Sequence, residues 1–179
     1  MNNPDPDSPI IRDVADADMP AICAIYAHEV LNGVSSWEEQ PPSLCEMIRR
    51  RDAVLADGFP YRVAQWRGAI VGYTYASAYR PRPGYRYTLE NTIYVAETAR
   101  GMGIGRSLIE DLIERCEARG YRQMIAVIGD SQNLASIDFH AHMGFTRVGL
   151  IHSIGFKFGR WMDSVIMQRT LGSGDKTLP

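Results

Sequence analysis

The stretch from Ala99 to Leu108, ARGMGIGRSL, narrows what this chain can fold into more than any other. Gly101, Gly103 and Gly105 alternate with other residues, Arg100 and Arg106 flank the three on either side, and an apolar stripe at helical spacing follows (Ile104, Leu108, Leu112, Cys116). Glycine loses more conformational freedom on folding than any other residue, so three in a short run need a reason in the bare backbone. Backbone N–H groups at the start of a helix form an anion site, because the free amides and the helix dipole both favour negative charge. Spacing removes two candidates. A P-loop needs a lysine after its last glycine, and Gly105 is followed by Arg106; neither Gly101 nor Gly103 opens a Gly-x-Gly-x-x-Gly run. A third pattern, Arg-x-x-Gly-x-Gly, is satisfied by Arg100, Gly103 and Gly105. A simple tight turn would account for glycines, but it requires neither the leading arginine nor the continuous helix.

The surrounding pattern is mixed α/β. A strand at Ile10 to Val14 leads to a helix with Pro20 in its first turn and Asp16 or Asp18 as cap, ending near Asn32-Gly33. Ser43-x-x-Glu46 is a capping box that opens a second helix to about Ala56. YRVAQW and AIVGYTYASAY read as a hairpin turning at Arg67-Gly68, and YTLENTIYV as the strand before the glycine loop. QMIAVI is a short apolar run and predicts a buried strand. Ser131 to Met143 predicts a helix closed by Gly144, followed by strands near Phe145–Ile151 and Ser164–Thr170. Residues 10–171 are expected to form one domain, with residues 1–9 and 172–179 as loose ends.

The 179 residues are enough to bury roughly 70% of the unfolded chain's surface without staples. A net charge of −2 points to neither nucleic acid nor an anionic membrane surface. Cys23, Cys45 and Cys116 are odd in number and far apart, with no Cys-x-x-Cys pair, so neither a disulfide framework nor a metal site is expected. The acidic, proline-bearing start is unlike a signal peptide, and no apolar run approaches the ~20 residues that span a bilayer. The expected location is the cytoplasm.

The Arg-x-x-Gly-x-Gly run resembles the pyrophosphate loop of the GCN5-related N-acetyltransferases (GNAT), which use acetyl-coenzyme A. NLASIDFHAHMGF, with Asn133, Ser136, His140 and Gly144-Phe145, is similar to the helix and strand beyond that loop. The likeness extends over ADADMPAICAIYAHEV, SSWEEQP, RPRPGYRYTLENTIYV and GFKFGRWMD, which resemble the phosphinothricin and methionine sulfoximine N-acetyltransferase group from Ile10 to Leu171. Leu89 and Asn91 are the departures, where the group more often has valine, and serine or histidine.

The resemblance implies the GNAT fold: a mixed, mostly antiparallel central sheet flanked by helices, carrying a strand–Gly loop–helix–strand unit. It implies that Arg100, Gly101, Met102, Gly103, Ile104, Gly105, Arg106 and Ser107 cradle acetyl-CoA, with Asn133 on the pantetheine arm and Ser136 beside it. The Val95 N–H would polarise the thioester carbonyl. Glu90 would be the general base, in keeping with an acidic residue in a strand otherwise built of Thr, Asn, Ile, Tyr and Val. Alternation puts Glu90, Thr92 and Tyr94 on one face and Asn91, Ile93 and Val95 on the other; a strand-edge glutamate facing water is the alternative. His140 stands where the superfamily commonly has a tyrosine that protonates the leaving thiolate; an imidazole can do this, and a histidine packed beside Phe139 is the other reading. The cysteines lie on helix faces that read as buried, so direct attack is expected without an acetyl-cysteine.

AYRPRPGYRY sets Arg80, Arg82 and Arg86 among Tyr79, Tyr85 and Tyr87. An arginine fork suits a carboxylate or phosphinate, and rings can exclude water around it; a solvated loop is the plain alternative. By resemblance Arg80 and Arg82 come ahead of Arg86, Tyr85 and Trp37 line the substrate pocket, and Lys157, Trp161 and Asp163 belong to the end motif, Lys157 as a substrate contact. The group is typically dimeric, with its active site near the subunit boundary. The function expected is acetylation of a small amino acid, with acetylation of protein N-termini or another amine, and a non-catalytic acyl-CoA sensor, as alternatives. No metal is expected.

Overall fold

The computed structural model describes residues 8–179, so most of the expected N-terminal tail lies outside the described residues. The chain runs β1 (Ile10–Asp13), α1 (Met19–Asn32), α2 (Leu44–Ala56), β2 (Tyr61–Trp66), β3 (Ala69–Ala78), β4 (Thr88–Val95), α3 (Ile104–Ala118), β5 (Gln123–Gly129), α4 (Leu134–His142), β6 (Thr146–Lys157) and β7 (Arg160–Thr170). The strands form one sheet in the order β1-β2-β3-β4-β5-β7-β6. Every neighbouring pair is antiparallel except β4 with β5, the mixed sheet expected.

Local chemistry explains the element ends. Arg67 and Gly68 both have positive φ, +49° and +83°, the twist a two-residue hairpin turn needs. Ser43 Oγ accepts the Glu46 N–H at 3.2 Å and starts α2. The Glu46 carboxylate is taken by Arg49 and Arg50. Asp18 serves differently from the expected cap: its carboxylate accepts the Ala15 N–H and grips Arg12, each contact at 2.7 Å.

The end of the chain departs most from the sequence pattern. Beyond the stretches expected to be extended, β6 and β7 continue into a long hairpin, because Phe158 (φ +52°) and Gly159 (φ +73°) make another two-residue turn. Between Ile151 and Gly155 the β6 register slips against β7, a bulge that re-aims Ile154 and Gly155. Residues 172–179, expected to be loose, fold back in turns, with Arg122 donating to Thr177 and Leu178 at 3.1 and 3.3 Å.

Both sheet faces are covered. On one, α1 and α2 bury Met19, Ile22 and Met47 against Tyr61, Val63 and Tyr73. On the other, α3 places Ile109, Leu112 and Cys116 against Leu89, Met124 and Ala126. Each fully buried Leu or Ile contributes about 1.5–3 kcal/mol by leaving water, and this packing fixes where β4 and β5 run. The two strands pair only from Thr88 to Glu90, against Gln123 to Ile125. Past Glu90 they diverge, and the gap between them holds the site.

Candidate active site

A cavity of about 320 Å³ fills the gap between β4 and β5. Its walls are Glu90 to Tyr94 of β4, Ala126 to Gly129 of β5, Ser136 and His140 of α4, and residues 35–38 of the segment joining α1 to α2. The expected alternation along β4 is present. Tyr94 packs on Tyr26 and Tyr73 on the α1 side, with ring centroids 5.2 and 5.5 Å away, whereas Leu89 and Ile93 join the core beneath α3. Glu90 therefore enters the cavity from one face of the strand and Asn91 from the other.

Backbone direction follows the same parity. The Tyr79 N–H bonds the Thr88 carbonyl and the Ala96 N–H bonds Val71, so even-numbered residues of β4 turn their amides toward β3. Odd-numbered residues turn theirs toward β5, which has already diverged at Ile93 and Val95. The Val95 N–H thus points into the gap.

A second cavity, of about 520 Å³, adjoins the first through Ser35, Ile93, Tyr94 and Ser136. It is lined by Arg100, Gly101, Gly103, Ile104, Gly105, Arg106 and Asn133. Gly101 (φ +77°) and Gly103 (φ +78°) take the left-handed conformation that lets the loop curl, and Gly103 caps α3. The Ser107 N–H is the first to close a helical bond, onto Gly103 O at 3.0 Å, so the amides of Ile104, Gly105 and Arg106 are free of the helix ladder. This amide cradle fits an anionic diphosphate. Gly105 has a different reason: a Cβ there would meet Phe139 at 3.3 Å. Met102 and Ser107 do not line the cavity, and half of Met102 is exposed.

The flanking side chains are already engaged. Arg100 reaches Val95 O at 3.4 Å and pairs with Glu29 at 3.3 Å; Arg106 pairs with Glu110. Asn133 caps α4 by accepting the Ser136 N–H at 3.3 Å and donates to Ser35 Oγ at 3.3 Å. Glu29 itself is buried, with Oε1 on the Ser35 N–H at 3.0 Å.

A third cavity, of about 540 Å³, shares Trp37, Glu90 and Val127 with the first and is walled also by Tyr79, Arg80, Ile154 and Phe156 among others. Glu90 is half-buried, and that burial raises its carboxyl above the ordinary range while Arg80 pulls it back down. Of the three arginines, Arg80 is the one that lines one of these three cavities. Its guanidinium lies 5.1 Å from the Tyr79 ring, which Tyr85 meets edge-on at 5.8 Å. Arg82 is exposed on the loop, and Arg86 rests on Tyr87 at 4.7 Å. Trp37 faces both the first and third cavities; its indole occupies the space left by the missing Cβ of Gly155.

Lys157 stands elsewhere than a substrate contact would. It is buried, lines none of these cavities, and donates to the carbonyls of Gly33 and Ser36 at 3.0 and 2.8 Å. Cys45 is exposed, not buried as its helix pattern suggested; Cys116 is buried, and burial pushes its thiol up to about 12.

His140 is buried, with Nδ1 2.8 Å from Ser136 O and Nε2 3.2 Å from Asn91 Nδ2. Burial lowers its pKa, and the bond to the Ser136 carbonyl works the other way. Sequence reasoning passed over Tyr26, Glu29, Ser35, Ser36 and Glu38 as cavity walls. Only the neighbouring Trp37 carried a signal, since contacts across a fold leave no mark in local periodicity.

Comparison with known proteins agrees with this geometry. The family described as Acetyltransferase (GNAT) domain matches residues 11–166. The chain is 53% identical over 169 residues to the phosphinothricin N-acetyltransferase of Alcaligenes faecalis, covering 94% of this chain and 86% of that protein. It is 41% identical over 162 residues to the L-methionine sulfoximine/L-methionine sulfone acetyltransferase of Pseudomonas paraeruginosa, covering 90% and 94%. The crystal structure of a GNAT superfamily phosphinothricin acetyltransferase from Sinorhizobium meliloti in complex with AcCoA superposes with a TM-score of 0.93 at 48% identity, covering 96% of this chain and 93% of that one. With that fold, cleft and glycine cradle, the chain belongs to the GNAT acetyltransferase family.

Proposed function

We propose that this protein transfers an acetyl group from acetyl-CoA to the α-amine of a small amino acid with a second anionic or polar tetrahedral group, of the kind phosphinothricin and methionine sulfoximine represent. The observation that carries the reading is the meeting of an amide-lined cavity and a Glu90–Arg80 cavity at the gap between β4 and β5. Acetyl-CoA supplies the activated acetyl thioester; the chain supplies position, charge and proton acceptance.

The loop from Arg100 to Arg106 holds the diphosphate on its free amides, with Asn133 and Ser136 along the arm. Glu90 takes a proton from the attacking ammonium, a task suited to a carboxyl whose pKa burial has raised. The Val95 N–H donates to the carbonyl oxygen as it gains charge. His140 returns a proton to the departing sulfur. Arg80 pairs with the substrate's carboxylate or phosphinate, ahead of Arg82, and Trp37 with Tyr79 shields that pair from water.

The chain works as a homodimer in this reading. Ile151, Ile154, Phe156, Phe158 and Trp161 expose 46–64% of their surface along the β6–β7 hairpin, and β6 is an edge strand. Exposed apolar side chains on an edge hairpin suit a subunit interface, and Ile151, Ile154 and Phe156 also wall the Arg80 cavity. Detoxification of amino-acid analogues in the cytoplasm is the role that fits.

Thiol release from acetyl-CoA, followed across free amino acids, methionine sulfoximine, phosphinothricin and short peptides, tests the assignment. Turnover of the sulfoximine or phosphinothricin, lost in Glu90→Gln, is the expected result. Turnover of peptides alone would replace it with acetylation of protein N-termini, and coenzyme binding without turnover would leave an acyl-CoA sensor.

A further inference from the structure

The hydrogen bonds around His140 decide where its protons lie. A carbonyl oxygen only accepts, so Nδ1, 2.8 Å from Ser136 O, carries hydrogen. Nε2 faces the Asn91 amide nitrogen, which only donates, so Nε2 presents its lone pair and the ring is neutral. Phe139 and Phe145 meet the ring edge to face at 5.1 and 5.2 Å and fix its plane. The ionisable groups that share its cavity are Glu90, Glu38, Tyr26 and Tyr94.

This arrangement leaves one group unanswered. Asn91 Oδ1 is buried and has no hydrogen-bond partner among the described residues. An orphaned buried acceptor forfeits its hydration with nothing in return, which selects against it unless something uses it. The primary amide offers a use. Turned over about its last torsion, Asn91 presents Oδ1 to Nε2, where it can accept from an imidazolium N–H. Either way round, one end of the amide bonds the ring and the other is unpaired, so His140 gains or loses a proton without losing its hydrogen bond.

We infer that Asn91 is a positioning residue that keeps the His140 proton on Nδ1 in the resting protein and, by turning its amide, holds the same ring as imidazolium. The inference deepens the proposed function and rests on the reading of His140 as the group that returns a proton to the sulfur. Over one turnover the balance closes. The ammonium sheds two protons in becoming an amide N–H, and Glu90 accepts each in turn and passes it to water. Nε2, bare at rest, takes a proton from water as Asn91 turns Oδ1 toward it and gives that proton to the thiolate, so one proton is released per turnover. A side chain that could only accept would trap the charged ring, and one that could do neither would release the tautomer.

Imidazole nitrogen NMR on the full-length, nitrogen-15-labelled protein reads this directly, with the signals of the four histidines assigned by single His→Gln variants. The wild type is expected to show His140 with Nδ1 protonated and Nε2 bare at neutral pH. Asn91→Asp, a near-isostere that only accepts, is expected to protonate both nitrogens at the same pH and to raise the ring's titration midpoint. Asn91→Ser, whose hydroxyl can donate or accept, is expected to keep the wild-type pattern, and it covers the case in which the aspartate variant folds poorly. A wild-type ring protonated on Nε2 alone, or an aspartate variant with an unchanged ring, would overturn the inference. Full turnover in His140→Gln beside the expected spectra would instead remove His140 from the reaction and leave the Asn91 assignment standing.

Discussion

The Lys157 ammonium bonds the Ser36 carbonyl at 2.8 Å across 121 residues of sequence. With its second bond, to Gly33, it fastens the segment between α1 and α2 to the tip of the β6–β7 hairpin. That segment carries Ser35, which walls the first and second cavities, and Trp37, which walls the first and third. Lys157→Met removes the ammonium and leaves the carbonyls unanswered, a loss of about 1–3 kcal/mol. Urea unfolding should show that loss, and the KM values for both substrates should rise together. A change confined to the amine KM would mean that Lys157 touches the substrate itself.

Glu90→Gln should lower kcat by about 10²- to 10⁴-fold, the usual contribution of a positioned base. Its effect on stability runs the other way. The folded protein raises the Glu90 pKa, so ionisation begins to weigh against folding as the pH rises through the ordinary carboxylate range, and the penalty is complete above the raised value. Glutamine carries no such charge. Thermal melts should show the variant more stable than wild type at pH 8, with the gap closing as the pH falls below the ordinary carboxylate range.

Arg80→Ala removes the one cation found to pull the Glu90 pKa down. The acid limb of the kcat profile should therefore move to higher pH. The KM for an anionic amino acid should rise roughly ten-fold, the low end for a charge-assisted contact, because Arg80 is exposed. Acetyl-CoA KM should not change. An unmoved acid limb would separate Arg80 from the base.

Gly103 has φ +78° and empty space where a Cβ would stand, on the edge of the amide cradle. Gly103→Val forces a β-branched residue into the left-handed region, which costs about 1–2 kcal/mol, and fills the space the diphosphate needs. Steady-state kinetics should show acetyl-CoA KM raised by roughly ten-fold or more, a loss of ~1.4 kcal/mol. Unaltered coenzyme kinetics would take the loop out of coenzyme binding.

Gly155→Ala would put a methyl group within 2.2 Å of the Trp37 indole, so the ring must move. The amine KM should rise with little change in acetyl-CoA KM, accompanied by a shift in tryptophan fluorescence. Fluorescence that matches the wild type would mean the indole had kept its place.

Much of this protein is written locally. The glycine loop, the Ser43 cap, the Arg67-Gly68 turn and the period-two face of β4 each depend on residues within a few positions of one another. Such features can be read from one strand of sequence, because backbone preference and side-chain periodicity act at short range. Glu90 was legible for the same reason, as a charge in a run of strand formers.

What the tertiary structure decided lies in the contacts between distant segments. Lys157 and Arg82 belong to motifs of the same apparent standing as Arg80, yet one is buried as a fastener and one stands in solvent. The early end of β4–β5 pairing opens the gap, and the Asn91–His140 bond spans 49 positions. Gly105 and Gly155 are bare for Phe139 and Trp37. No local pattern encodes these relations, because each depends on where packing of the whole sheet and its helices brings two surfaces together.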